Sequence, residues 1–93
     1  VENNNNLRYT SGIRMWPNPV QNYLNVWYQS ADHDRFVVSV ISMSGVNMMT
    51  TSYDNVNGQI SFHINVGRLA RGTYFLVVTD SNGQKTVRQF VKQ

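Results

Sequence analysis

From Ile13 to Gln93 the sequence repeats one pattern. A run of four to nine residues alternates apolar with polar side chains, then a short cluster of Asn, Gly, Ser or Asp interrupts it. Alternation with period two places successive side chains on opposite faces of a strand, whereas a helix needs apolar residues three and four apart. A chain written this way is confined to β-structure, with its turns already marked. Composition points the same way. Thirteen Val stand against four Leu and two Ala, so helix formers are scarce and strand formers abundant. Twelve Asn supply turn residues.

Seven strands are expected. The first, residues 13–16, is stopped by Pro17 and Pro19, which cannot donate to a ladder. The second, residues 23–29, sets Leu24, Val26 and Tyr28 against Tyr23, Asn25 and Trp27. The third, residues 35–42, is apolar on both faces, the mark of a central strand. The fourth, residues 46–52, follows the Ser44-Gly45 turn and offers Met48 and Met49 as adaptable packing groups. The fifth, residues 59–66, alternates Ile60, Phe62, Ile64 and Val66 with Ser61, His63 and Asn65. The sixth, residues 73–79, is again apolar on both faces and belongs inside a sheet. Leu69 is the apolar plug of the connection before it. Asp80-Ser81-Asn82-Gly83 reads as a hairpin turn, and residues 84–92 form the seventh strand.

Seven short strands with regular turns describe an antiparallel, immunoglobulin-like β-sandwich, with a small closed barrel as the alternative that periodicity leaves open. Residues 13–93 are expected to form this single domain. Residues 1–12, with four consecutive Asn and little to bury, read as a flexible linker to an upstream domain. There is no cysteine, hence no disulfide frame and no thiolate metal site.

Composition also excludes functions. The net charge is +3, and the six Arg and two Lys are dispersed without a run, which argues against nucleic acid as a partner. No apolar stretch is long enough for a transmembrane helix. His33 and His63 are the imidazole bases, and neither sits in a nucleophile motif. Asp32-His33-Asp34 is the densest polar cluster, but three adjacent ligands converge poorly and no matching cluster lies elsewhere. No catalytic residue, metal or cofactor is expected. Trp16, Tyr23, Trp27 and Tyr28 crowd the first two strands, and Trp27, alternating away from Leu24 and Val26, is the candidate for ligand stacking. The last strand is an accessible element that a receptor can read as an edge or a terminal peptide.

Four blocks, in order, carry a family resemblance. They are Trp16-Pro17-Asn18-Pro19-Val20 followed by Asn22, Leu24, Asn25 and Val26; Val38-Ser39-Val40-Ile41-Ser42-Met43-Ser44-Gly45; Ile64-Asn65-Val66-Gly67-Arg68-Leu69-Ala70-Arg71-Gly72-Thr73-Tyr74-Phe75; and Lys85-Thr86-Val87-Arg88-Gln89-Phe90-Val91-Lys92-Gln93. Together they resemble the type A C-terminal sorting domain of the type IX secretion system, found on secreted and surface proteins of the Bacteroidetes. The family often has Asp where Ser42 stands and Asp-Leu-Ser where Asn65-Val66-Gly67 stand.

The resemblance implies an address rather than an enzyme. An attached upstream cargo would pass the periplasm and be carried across the outer membrane, to the cell surface or the medium. Translocon and shuttle components would recognise the folded domain, and a sortase-like peptidase would cut within or before residues 1–12. The nine residues of the fourth block would be the recognised surface. Pro17, Asn18, Pro19, Leu24, Val26, Gly45, Leu69, Gly72 and Tyr74 would be the motif's structural positions. A homodimer by strand pairing or swapping is a further expectation, because a terminal strand edge can pair with its own copy. The rival reading from the residues alone is an immunoglobulin-like binding module that holds a glycan or a protein partner through Trp16 and Trp27.

Overall fold

A computed structural model describes residues 11–30, 35–54 and 58–93. Seven strands follow in chain order: β1 Ser11–Trp16, β2 Tyr23–Ser30, β3 Arg35–Ser42, β4 Asn47–Asp54, β5 Gln59–Asn65, β6 Gly72–Thr79 and β7 Lys85–Lys92. They form two antiparallel sheets, β1-β2-β5 and β4-β3-β6-β7. There is no helix among the described residues.

Alternation accounts for how the sheets meet. Leu24, Val26 and Tyr28 of β2 are buried, as are Phe36, Val38 and Val40 of β3, Tyr74, Leu76 and Val78 of β6, and Phe90 of β7. These residues belong to one core cluster, joined by Ile60, Phe62 and Ile64 of β5. Rings from both sheets interlock at one end of the core. Tyr28 meets Phe36 at 4.7 Å between centroids, and Tyr53 stacks on Phe62 at 4.3 Å. Offset or tilted aromatic pairs of this kind add stability beyond the area they bury. Two sheets sharing one core make a sandwich, and the closed barrel is not formed. β3 and β6 are interior strands, as their two apolar faces require. β4 lies beside β3, whereas the constant-type immunoglobulin order puts the fourth strand beside the fifth.

Several strand ends differ from the periodic reading, each for a local reason. β4 begins at Asn47, because the Val46 carbonyl accepts from Ser42 N at 2.8 Å to close the hairpin. It runs on to Asp54 because Tyr53 and Asp54 pair with Phe36 and Arg35, the last through an ion pair at 3.2 Å. β5 stops at Asn65, because Val66 N donates to the Asn22 carbonyl at 2.7 Å outside the ladder. β1 starts at Ser11, paired with Ser30. β6 starts at Gly72 rather than Thr73, since Gly72 pairs with Lys92, and β7 starts at Lys85, since Gln84 closes the turn. Residues 1–10 of the expected linker, the Asp32-His33-Asp34 cluster and residues 55–57 of the fourth turn lie outside the described residues.

The two hairpins of the larger sheet share one device. In Asp80–Gln84, Gly83 takes φ 83° while no other residue type among those described has positive φ. The turn is therefore a three-residue loop closed by a left-handed glycine. Asp80 Oδ1 accepts from Asn82 N and Gln84 N, both at 2.9 Å. In the β3–β4 hairpin Gly45 takes φ 88°, and Ser42 Oγ accepts from Val46 N at 3.1 Å. A short polar side chain at the head of each loop thus holds the amides that the turn leaves unpaired.

Burial against Phe36 and Phe62 raises the Tyr53 phenol above its ordinary value of 10.0, by desolvation. The folded state holds this proton more tightly than the unfolded chain. Its contribution to stability is therefore intact below pH 10 and is lost as pH rises through the raised value. Urea midpoints of the parent and of Tyr53→Phe should keep a constant difference near neutrality. Above pH 10 that difference should move in favour of the variant.

Candidate functional site

β7 is an edge strand, hydrogen-bonded on one side to β6. Its register pairs Tyr74 with Phe90, Leu76 with Arg88 and Val78 with Thr86. Phe90 is fully buried and stacks on Tyr74 at 5.8 Å. Lys92 is only 8% exposed; its Nζ donates to the Gln93 main-chain oxygen at 3.0 Å while its stem covers the end of the core. On the opposite face Val87 is 49% exposed and Val91 is also exposed. Lys85, Arg88 and Gln89 are exposed, and Thr86 is half-buried. The strand thus has one face bound into the core and one free.

The outer edge of β7 is closed at one end. Asn18 Oδ1 accepts from Val91 N at 2.9 Å. Val20 N donates to the Val91 carbonyl at 2.9 Å, and Gln93 N donates to the Val20 carbonyl at 2.8 Å. Val20 also bridges Lys92 in parallel sense. The segment that joins β1 to β2 in one sheet therefore clasps the last strand of the other. Val20 anchors it from a fully buried position. Pro17, Asn18 and Pro19 are exposed around it, and the prolines offer no N–H to a further strand.

Backbone direction alternates along a strand. Since both polar groups of Val91 point away from β6, those of Val87 and Gln89 point the same way. The clasp ends at residue 91, so residues 85–89 form an edge that no described strand covers. Arg88 Nη1 donates to the Val87 carbonyl at 3.0 Å. Two cations, Lys85 and Arg88, flank this edge, and no carboxylate lies on the strand.

The other motif positions support β7 from behind. Tyr74 Oη donates to the Ala70 carbonyl at 2.7 Å, pinning the β5–β6 connection over the strand that carries β7. Leu69 is buried in that connection, and Gly72 opens β6 opposite Lys92. Leu24 and Val26 lie in the core, and Gly45 sits in the distant β3–β4 hairpin.

The aromatic candidate lies elsewhere, on the outer face of the smaller sheet. Trp27 is half-buried, with the Arg14 guanidinium 5.6 Å from its ring centroid. Trp16 is the more open ring, at 50% exposure. His63 is exposed and meets the edge of Tyr23 at 5.3 Å, a cross-strand aromatic contact. No group of three metal-ligating side chains gathers among the described residues.

Residues 14–93 match the family model described as the secretion system C-terminal sorting domain. The chain belongs to this family. No curated protein matches it. The sorting domains of the type IX system act as C-terminal secretion signals, and the family is not an enzyme family. Membership implies an upstream cargo, interaction with the type IX machinery, and export to the cell surface or beyond, in the Bacteroidetes. Among the described residues no helix is long and apolar enough to cross a membrane.

The two places where this sorting domain departs from the commoner family pattern keep its hydrogen bonding. Ser42 Oγ accepts a turn amide, as a carboxylate would there. Asn65 Oδ1 accepts from Gly67 N at 3.0 Å, the same Asx geometry an Asp would make. The clasp was not legible from periodicity, because its partners are 73 residues apart. The clue in the sequence was Asn between two prolines, a polar side chain held where neither neighbour can join a ladder.

Asn18→Ala removes the acceptor of the Val91 amide and nothing from the core. It should cost about 1 kcal/mol of stability, the usual worth of one such bond. Amide hydrogen exchange should accelerate at Val91 while Phe90, paired into β6, stays protected. Unchanged protection at Val91 would contradict the clasp.

Proposed function

We propose that the folded sandwich is read by the type IX translocon and its shuttle proteins at β7, with residues 85–93 as the recognised strand. What supports this reading is the one-sided binding of β7. Its inner face is fastened to the core, its end is clasped, and its outer edge from Lys85 to Gln89 is covered by no described strand. An edge of this kind is completed by an added strand, which takes affinity from main-chain hydrogen bonds and specificity from alternate side chains. Val87 and Val91 are the apolar side chains offered on the free face. Lys85 and Arg88 favour an acidic or neutral partner strand.

The chain itself performs no chemistry in this account. The segment ahead of β1 joins the domain to its cargo, which moves through the periplasm and across the outer membrane. A sortase-like peptidase then cuts ahead of β1, and the cargo stays at the surface or is released. A second copy of the chain, pairing or swapping strands through the same edge, would compete with the machinery.

Trimming the last three residues would remove the clasp together with the signal, since Val91 and Gln93 carry its hydrogen bonds. Gln89→Pro separates the two. It deletes an outward N–H that the β6 ladder does not use, and edge positions tolerate proline. The chain is fused behind a periplasmic reporter in a Bacteroidetes host with a working type IX system. Gln89→Pro should lose most of the surface reporter while the purified domain keeps its circular dichroism and urea midpoint. Undiminished export of a folded Gln89→Pro fusion would sink this reading of β7.

A further inference from the structure

We infer a second binding site, for an acidic oligosaccharide, on the outer face of the β1-β2-β5 sheet. A cleft of about 440 Å³ is lined there by Arg14, Trp16 and Trp27. It falls within the roughly 300–1,000 Å³ of small-molecule sites. A smaller cleft of about 200 Å³ is lined by Trp16, Asn25, Val26, Ser61, Phe62 and His63. Trp16, half exposed, lines both. The two clefts run across all three strands of the sheet.

The side chains define the ligand. Arg14 lies over the Trp27 ring at 5.6 Å. A guanidinium held against an aromatic face keeps its in-plane N–H donors available for a carboxylate, in the fork geometry that suits bidentate pairing. Arg14 makes no ion pair among the described residues. Among the described residues no carboxylate lines either cleft. The site thus presents a cation with no ion-pair partner among the described residues, beside an exposed indole. In the smaller cleft, Ser61 and His63 are exposed polar groups. Asn25 gives its Nδ2 to the Trp16 carbonyl at 3.2 Å, which fixes the amide and leaves its oxygen as an acceptor.

A uronic acid residue matches each of these. The C–H face of its pyranose ring covers Trp16, its carboxylate meets Arg14, and the hydroxyls of a neighbouring sugar reach Asn25, Ser61 and His63. A neutral sugar would leave Arg14 without a counterpart. A peptide edge is not favoured, because the aromatic and polar side chains of the clefts lie on a sheet face; Val26 and Phe62, which also line the smaller one, belong to the core. The site is independent of β7, which belongs to the other sheet.

Calorimetric titration of the 93-residue chain with hexagalacturonate, beside neutral cellohexaose, tests this. The uronate should bind saturably and the neutral hexamer should not. Trp16→Ala and Arg14→Gln should each weaken binding by about tenfold or more, an effect of one good stacking or charged contact. Both residues are exposed, so both variants should keep the parent circular dichroism. Arg35→Gln, which removes a cation from the other sheet, should bind as the parent does. Three results would overturn the site: no saturable uronate binding, equal binding of cellohexaose, or equal weakening by Arg35→Gln, which would mark a general charge effect.

Discussion

A sheet edge is a row of unpaired N–H and C=O groups, and the last residues of a chain are the first to fray from it. Here the end of the edge strand is tied down by Asn18 and Val20, through three hydrogen bonds to residues 91 and 93. Much of the larger sheet's outer margin depends on that closure. With Val91 fixed, Phe90 and Lys92 are held inward, and Phe90 keeps its place against Tyr74. Tyr74 in turn pins Ala70, so the β5–β6 connection and its Leu69 plug stay seated. The clasp comes from the opposite sheet, so it also fastens the two layers beyond what apolar burial provides.

The same closure divides β7 into two parts with different physical character. Residues 90–92 are structural, buried or bonded on both edges. Residues 85–89 are laddered to β6 on one edge; along the other no described strand runs, and the Val87 carbonyl accepts from Arg88 Nη1. The proposed reading of β7 in the folded domain needs both properties. The strand must be held in one geometry, and enough of it must be left unsatisfied for a partner to complete. The proline-flanked Asn18 supplies the first without spoiling the second, because its reach stops at Val91.

Where function enters the sequence and where it does not follows from range. The inner faces of β2, β3, β5 and β6 were legible because burial imposes period two on residues that are neighbours in the chain. The hairpin heads Ser42 and Asp80 were legible as turn residues for the same local reason. The partner of β4 was not, since joining β3 or β5 is a choice between distant strands that alternation leaves open. The clasp was not, since it depends on an oxygen 73 residues from the amide it meets. On the smaller sheet, alternation placed Trp27 correctly on the outer face. It could not foresee that Arg14, from the adjacent strand, would cover that ring and leave Trp16 as the open one. The family resemblance pointed to the last strand as the signal, and the geometry adds which of its edges no described strand covers.

The most direct measurement is site-specific photocrosslinking during export. A photoreactive residue is placed at Val87, on the free face of the open edge, or at Met48, exposed on the β4 edge at the far side of the same sheet. Each cargo fusion is then irradiated in cells carrying the type IX system. The account predicts adducts with translocon or shuttle components from position 87 and none from position 48. Adducts from position 48 with none from 87 would contradict it and place the recognised surface on the opposite edge.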